Sequence, residues 1–228
     1  MSKLYIVATP IGNLGDITLR AIETLKNADV VLAEDTRVTK KLLSHLNISK
    51  PLISFQEYSS PKVLERIIGL LEEDKNLALV TDAGTPGISD PGQRLIQAVS
   101  RKPYVVEVIA VPGPSSLAAI ISLSDIDLSE FTFLSFPPHK KGRETFFKNI
   151  AASRYPVILF ESPHRILKTL SQLQKFCGDR RVNIGRELTK IYEEVFRGSL
   201  SEAEKYFSGE KQRGEFVMVL ATAIDTKN

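Results

Sequence analysis

The sequence predicts an α/β fold built as two domains, and three observations predict it. Short apolar runs alternate with segments of helical period through the first half of the chain. Glycine- and proline-bearing turns follow the ends of those runs. One of these turns, Pro112-Gly113-Pro114-Ser115-Ser116, breaks the alternation near the middle of the 228 residues. A chain this long exceeds the usual single-domain size. The boundary is therefore placed at that turn, giving an N-terminal α/β domain over 1–112 and a C-terminal α/β domain over 113–228.

Residues 4–8 read as a buried strand. Leu19, Ile22 and Leu25 then recur at helical spacing behind Asp16-Ile17-Thr18, whose polar residues offer N-caps. Residues 30–33 form a second strand, followed by a helix with Val38, Leu42 and Leu46 on one face. A third strand covers 52–55. Pro61 stands where a first helical turn tolerates proline, and Val63, Leu64, Ile67, Ile68 and Leu71 carry that helix on. Strands at 77–81 and 105–111 complete the first half. Strands alternating with helices argue for a largely parallel sheet covered on both faces, with ligands bound outside the carboxyl ends of its strands. Beyond the boundary, strands are expected at 131–136, 157–160, 182–187 and 216–223, and helices near 144–152, 166–176 and 200–207. The proline-rich basic stretch 137–143 is expected to be a mobile loop.

Hydrophobic residues make up 43% and charged residues 25%, the balance of a globular protein, and Cys177 is the single cysteine. That excludes an internal disulfide and a Cys-clustered zinc site, and it suits a reducing compartment. No His/Asp/Glu spacing resembles a metal site, so none is expected. No stretch approaches the ~20 apolar residues that span a bilayer. Met1-Ser2-Lys3 leads into a run too short for a secretory leader. The expectation is a cytoplasmic protein with no membrane partner. A net charge of +3 permits a nucleic-acid substrate without demanding one.

The most informative segment is Thr81-Asp82-Ala83-Gly84-Thr85-Pro86-Gly87-Ile88-Ser89-Asp90-Pro91-Gly92, directly after an apolar strand. Three glycines and two prolines force a turn where backbone approaches a ligand closely, and Asp82 is placed to accept from a cofactor's hydroxyl or amino groups. The plainer reading is a strand-to-helix connection in which Asp90 caps the next helix. The chain has no P-loop signature and no G-x-G-x-x-G after the first strand, and Ser89 does not sit in the G-x-S-x-G of a serine hydrolase. Thr9-Pro10-Ile11-Gly12-Asn13-Leu14-Gly15-Asp16 forms a second glycine-bearing turn, and 112–116 a third that opens a helix. Three such turns at strand ends describe a pocket. Ala33-Glu34-Asp35-Thr36-Arg37 and Glu161-Ser162-Pro163-His164-Arg165 add polar clusters at strand-to-helix junctions. Each is either chemical or a helix start; in the first, that alternative has Asp35 or Thr36 as the cap and Glu34 paired to Arg37.

Taken in this order, these segments, with Gly185-Arg186-Glu187-Leu188-Thr189-Lys190 and Arg213-Gly214-Glu215-Phe216-Val217, resemble the ribosomal RNA small subunit methyltransferase I family of the tetrapyrrole methylase superfamily. The resemblance covers nearly the whole chain. It implies two α/β domains of the tetrapyrrole methylase type, with S-adenosyl-L-methionine folded into a cleft between them, in a homodimer. It implies 2′-O-methylation of a cytidine in the decoding region of small-subunit (16S) ribosomal RNA, as free RNA or in the assembled subunit. By matching position Pro10, Asp82, Gly84 and Thr85, with Ser115 and Ser116 of the third turn, would meet the cofactor. Phe160, Leu188 and Gly214 would line it from the second half. The chain departs from the family at Gln56-Glu57-Tyr58-Ser59-Ser60, in the absence of a glycine from 122–127, and at Ser135-Phe136-Pro137-Pro138. Many members also extend beyond the point corresponding to Asn228.

Methyl transfer to a ribose hydroxyl calls for positioning and for a general base within hydrogen-bond reach. Glu34 or Asp35 is the expected base, with Arg37 orienting the carboxylate or a phosphate, and His164 is the second choice. Lys140, Lys141 and Arg143, joined by Lys40, Lys41, Arg180 and Arg181, are expected to contact RNA phosphates. The competing readings are a tetrapyrrole-precursor methylase and a non-catalytic RNA-binding assembly protein on the same fold.

Overall fold

Alternate residues of one short strand feed two different cores in this protein. The computed structural model describes residues 2–90, 92–101 and 106–223, and the chain divides into two units, Met1–Ser115 and Ser116–Asn228. The first unit runs β1 (Lys3–Val7), α1 (Leu19–Asn27), β2 (Val30–Ala33), α2 (Thr36–His45), β3 (Leu52–Ser54), α3 (Pro61–Glu72), β4 (Leu77–Val80), α4 (Gly92–Ser100) and β5 (Glu107–Val111). Its strands pair in parallel in the order β3-β2-β4-β1-β5. Val30, Leu32, Leu77 and Leu79 face one way, toward Phe55, Ile67, Leu71, Leu95 and Val99. Val31, Ala33, Ala78 and Val80 face the other, toward Ala21, Leu25 and Leu43. Burial on both faces is why these strands read as unbroken apolar runs. Val105, the start of the last expected strand here, lies outside the described residues.

The helix starts are chemical. Thr18 accepts from the Ala21 amide ahead of α1, Asp35 accepts from the Arg37 amide ahead of α2, and Pro61 opens α3. One expectation fails here: Leu19 is 86% exposed. The buried stripe of α1 follows Ala21, Thr24 and Leu25, and Leu19 falls on the opposite face.

The second unit runs α5 (Ser116–Leu123), β6 (Thr132–Phe133), α6 (Arg143–Ala151), β7 (Val157–Glu161), α7 (Ile166–Cys177), β8 (Arg181–Arg186), β9 (Glu194–Ser199), α8 (Leu200–Tyr206) and β10 (Phe216–Leu220). Strand order is β6-β7-β10-β8-β9; β6 and β7 are parallel and the remaining pairs antiparallel. The parallel pattern of the first sheet therefore does not extend to the second. Phe147, Ile150, Ile166, Leu170, Leu173, Leu200 and Phe207 pack α6, α7 and α8 on one face of it, and α5 lies against β10. The expected strand over 131–136 shrinks to two residues because Ser135, with φ +57°, turns the chain. Among the described residues no helix is long and apolar enough to cross a membrane.

Candidate active site

The turns that follow β1, β4 and β5 are tied into one layer. Thr9 and Gly84 form a two-way backbone bridge, with N–H···O distances of 2.9 and 3.0 Å. The Thr9 hydroxyl donates to the Thr81 carbonyl at 3.0 Å, and the Thr85 hydroxyl to the Pro114 carbonyl at 3.0 Å. Gly84 sits at φ +87°, where a Cβ would also stand 3.3 Å from the Ile11 side chain. Only glycine suits both the dihedral and the contact. Further along, Asp90 accepts from the Gly87 and Gly92 amides and so braces the start of α4; Pro91 of the motif lies outside the described residues. Ser115 precedes α5, and Ser116 is its first residue.

Beside this layer, the ends of β2 and β4 bring three carboxylates together. Glu34 accepts the Thr81 hydroxyl at 2.7 Å and the Asp82 amide at 3.4 Å. Asp82 in turn accepts the Asp35 amide at 2.9 Å. The Glu34–Arg37 pair of the helix-start alternative does not form. Arg37 instead grips Asp35 through Nε and Nη2, at 3.1 and 2.6 Å, while Asp35 caps α2. The hydrogen bonds from Arg37 hold the Asp35 carboxyl at about 2 and push the guanidinium's own pKa up. Asp82 moves the other way. Partial desolvation raises its pKa, and the neighbouring charges of Glu34 and Asp35 raise it further. Gln56, one of the departures from the family pattern, donates its amide to the Glu34 carbonyl at 3.1 Å.

A pocket of about 280 Å³ opens between these strand ends and α2. Pro10, Leu14, Val38 and Leu42 make its walls, and Thr9, Thr39, Lys41, Thr81 and Asp82 are its polar members. Thr39 was not among the residues expected at a site. It sits inside an amphipathic helix, where nothing in the sequence separates a pocket-lining hydroxyl from a core threonine.

The second unit closes its own polar cluster. Glu161 is 1% exposed. It accepts from the Ser162 amide at 2.8 Å and the Thr169 hydroxyl at 2.5 Å, and it pairs with Arg165 Nε at 3.3 Å. Arg143, expected to meet RNA phosphates, is buried in this network. Its guanidinium donates to the Pro138 carbonyl, Gln172 and Thr169 at 2.7–2.8 Å, and with the residue 6% exposed it turns inward, away from any phosphate at the surface. Arg180 is corrected on the same ground, being buried and bound to the carbonyls of Cys177 and Ala151. Arg181 pairs with Asp125 at 2.6 Å. The stretch 137–143, read as mobile, is held at Pro137 by Arg165 and at Pro138 by Arg143. Lys140 and Lys141 remain exposed on it, as do Lys40 and Lys41 on α2.

His164 is exposed in the turn before α7. Phe160 meets Phe133 and Phe136 edge-on, with centroids 5.0 and 5.5 Å away. Leu188 is buried against Gly185. Gly214, at φ +102°, passes so close to Glu187 that a Cβ would lie 2.5 Å from its Cγ. Among the described residues no group of three or more His, Cys, Asp or Glu side chains is placed to hold a metal ion.

A family model for Tetrapyrrole (Corrin/Porphyrin) Methylases matches residues 3–204. The ribosomal RNA small subunit methyltransferase I of Thermotoga maritima is 46% identical over 221 residues, which are 97% of this chain and 99% of that protein. The protein of the same name from Synechocystis sp. is 44% identical, over 98% of this chain and 80% of its own length. Among solved structures, uroporphyrin-III-C-methyltransferase from Thermus thermophilus matches with a TM-score of 0.68 over 98% of this chain and 96% of that one, at 19% identity, a likeness of fold. With the family model spanning most of its length and these relatives matching it nearly end to end, the chain belongs to the tetrapyrrole methylase family, in its ribosomal RNA small subunit methyltransferase I group.

Proposed function

We propose that this chain uses S-adenosyl-L-methionine to methylate the 2′-hydroxyl of a cytidine in the decoding region of 16S small-subunit ribosomal RNA, as a cytoplasmic homodimer. The observation that carries the reading is the open carboxylate cluster at the ends of β2 and β4, beside bare backbone turns, in a chain so similar to proteins named for that RNA. Likeness to a tetrapyrrole enzyme at 19% identity, against 46% to an RNA enzyme, favours the RNA acceptor.

The strand-end residues fit the cofactor. Asp82 is exposed and engages one carboxylate oxygen with the Asp35 amide, leaving the other for a ligand's hydroxyl or amino group. Gly84 keeps the neighbouring backbone bare. When bound, S-adenosylmethionine supplies a methyl carbon on a sulfonium, which departs as a neutral thioether. Pro10, Gly84, Thr85, Ser115 and Ser116 are the other first-half residues we assign to holding it, with Phe160, Leu188 and Gly214 from the second half.

Removing the proton from the ribose hydroxyl falls to Glu34. Its carboxylate is oriented by the Thr81 hydroxyl and by the Asp82 amide. Asp35, held at about 2, is too weak a base at neutral pH and serves instead to fix Arg37. The Arg37 side chain is 86% exposed, so its outer face remains available to a phosphate. His164 remains the second choice for the base. Lys140 and Lys141 supply phosphate contacts.

The test is methyl transfer from labelled S-adenosylmethionine to small subunits that lack their modifications, with mapping of the labelled nucleotide. Label on one cytidine ribose in the decoding region is the expected result. Cofactor binding without label on any RNA would sink the acceptor and leave the methylase fold.

A further inference from the structure

We infer that the pocket between α2 and the ends of β1 and β4 receives the base of the nucleotide to be methylated, unstacked from the RNA, and that it selects cytosine through Thr39, Lys41 and Asp82. The inference rests on the RNA reading above. At about 280 Å³ the pocket lies just below the range of whole small-molecule sites and suits a single heteroaromatic ring. Its walls of Pro10, Leu14, Val38 and Leu42 offer apolar surfaces to the two faces of such a ring. Proteins that read single nucleotides hold the base in this way and bond its edge.

Thr39 carries the argument for a ligand. It is 2% exposed, and its hydroxyl has no hydrogen-bond partner in the protein. A helical threonine ordinarily turns that hydroxyl back to the carbonyl four residues earlier. Here that carbonyl, of Asp35, receives the Thr39 amide at 3.1 Å, and the hydroxyl stays unpaired in a residue that lines the pocket. Buried polar groups left unmatched are rare and costly, and a ligand that completes one gains from it.

The rim supplies the rest of an edge. Lys41 donates to the carbonyl of cytosine and Thr39 to its ring nitrogen, while the outer oxygen of Asp82, which also meets the cofactor in our reading, accepts the exocyclic amine where the two sites adjoin. Uracil would turn a carbonyl toward the carboxylate in place of the amine. Thr81 also lines the pocket and donates to Glu34, so the bound base and the proposed general base share a residue.

The experiment measures steady-state methylation of unmodified small subunits, S-adenosylmethionine affinity by calorimetry, and melting temperature, for the wild-type protein and for Thr39→Val, Thr39→Ser and Val38→Phe. Losing the hydroxyl should cut kcat/KM for subunits roughly tenfold, with cofactor affinity unchanged and the melting temperature not lowered. Thr39→Ser should restore transfer to within about threefold. Val38 is 40% exposed, so phenylalanine there leaves the core intact while filling the pocket. It should cut transfer roughly a hundredfold with the cofactor still bound. Wild-type transfer by Thr39→Val and Val38→Phe would overturn the pocket's role and leave the enzyme's function standing. Loss of cofactor binding in Val38→Phe would overturn it by giving the pocket to the cofactor. A wild-type protein that methylates no RNA would remove the function and the base pocket together.

Discussion

The clusters at Glu34-Asp35-Thr36-Arg37 and Glu161-Ser162-Pro163-His164-Arg165 share a recipe: carboxylate, hydroxyl and guanidinium between a strand end and a helix start. The folded chain treats them in opposite ways. Glu161 is 1% exposed, and Thr169, Arg165 and the Ser162 amide meet its carboxylate. Around Glu34 the carboxylates outnumber the cations. Asp82 keeps a raised pKa, and Arg37 satisfies only Asp35. Buried charge persists where every partner is supplied. Unbalanced charge at a strand's carboxyl end is what a reaction uses and what folding alone would not select. Composition cannot separate the two cases; the partner list does.

The largest effect that would break this contrast is on turnover. Glu34→Gln keeps the shape and an acceptor for the Thr81 hydroxyl but cannot take a proton. The expected fall in kcat is about 10²–10⁴-fold, while unfolding free energy shifts by less than about 1 kcal/mol. Asp35→Asn should leave kcat within a few-fold, because its carboxylate at about 2 holds Arg37 and takes no proton. Single-turnover kinetics with saturating cofactor check both. Equal losses in the two variants would show that the pair acts as one unit and that Glu34 has no separate role.

The converse holds in the second unit. Glu161→Ala strands the Arg165 guanidinium and the Arg143–Thr169 chain in a buried setting, and the expected loss of stability is about 3–5 kcal/mol. Urea unfolding followed by circular dichroism measures it. A variant that unfolds at the wild-type midpoint but no longer transfers methyl groups would move Glu161 into the machinery and erase the contrast.

Much of the first sheet was legible because its strands are buried on both faces, so β2 and β4 appear as the unbroken runs VVLA and LALV. The strand β9 escaped notice for the opposite reason. Its EVFRGS is a half-buried edge strand bonded on one side only, with Glu194 and Arg197 in it and no apolar run. The polar junctions were visible, but their partners were not. Arg37 reaches two residues back to Asp35, where the helix-start alternative paired it with Glu34, and Arg143 reaches 26 residues forward to Thr169. The first is a capping geometry. The second exists only after α6 packs on α7.

Within the basic stretch 137–143 the same rule separates neighbours. Arg143 is buried and bound by two side chains and a backbone carbonyl, while Lys140 and Lys141, three and two residues earlier, face solvent. The lysines bind phosphate in our reading, and the arginine builds the platform that presents them. Lys140→Ala/Lys141→Ala should leave the melting temperature unchanged and weaken binding to small subunits about tenfold at low salt. The slope of log affinity against log salt should become shallower by about 1.4–1.8, since each lost contact removes about 0.7–0.9. A filter-binding series from low to moderate salt measures both. An unchanged slope would place the RNA elsewhere on the surface, and Lys40 and Lys41 on α2, beside the pocket, would be the next pair to remove.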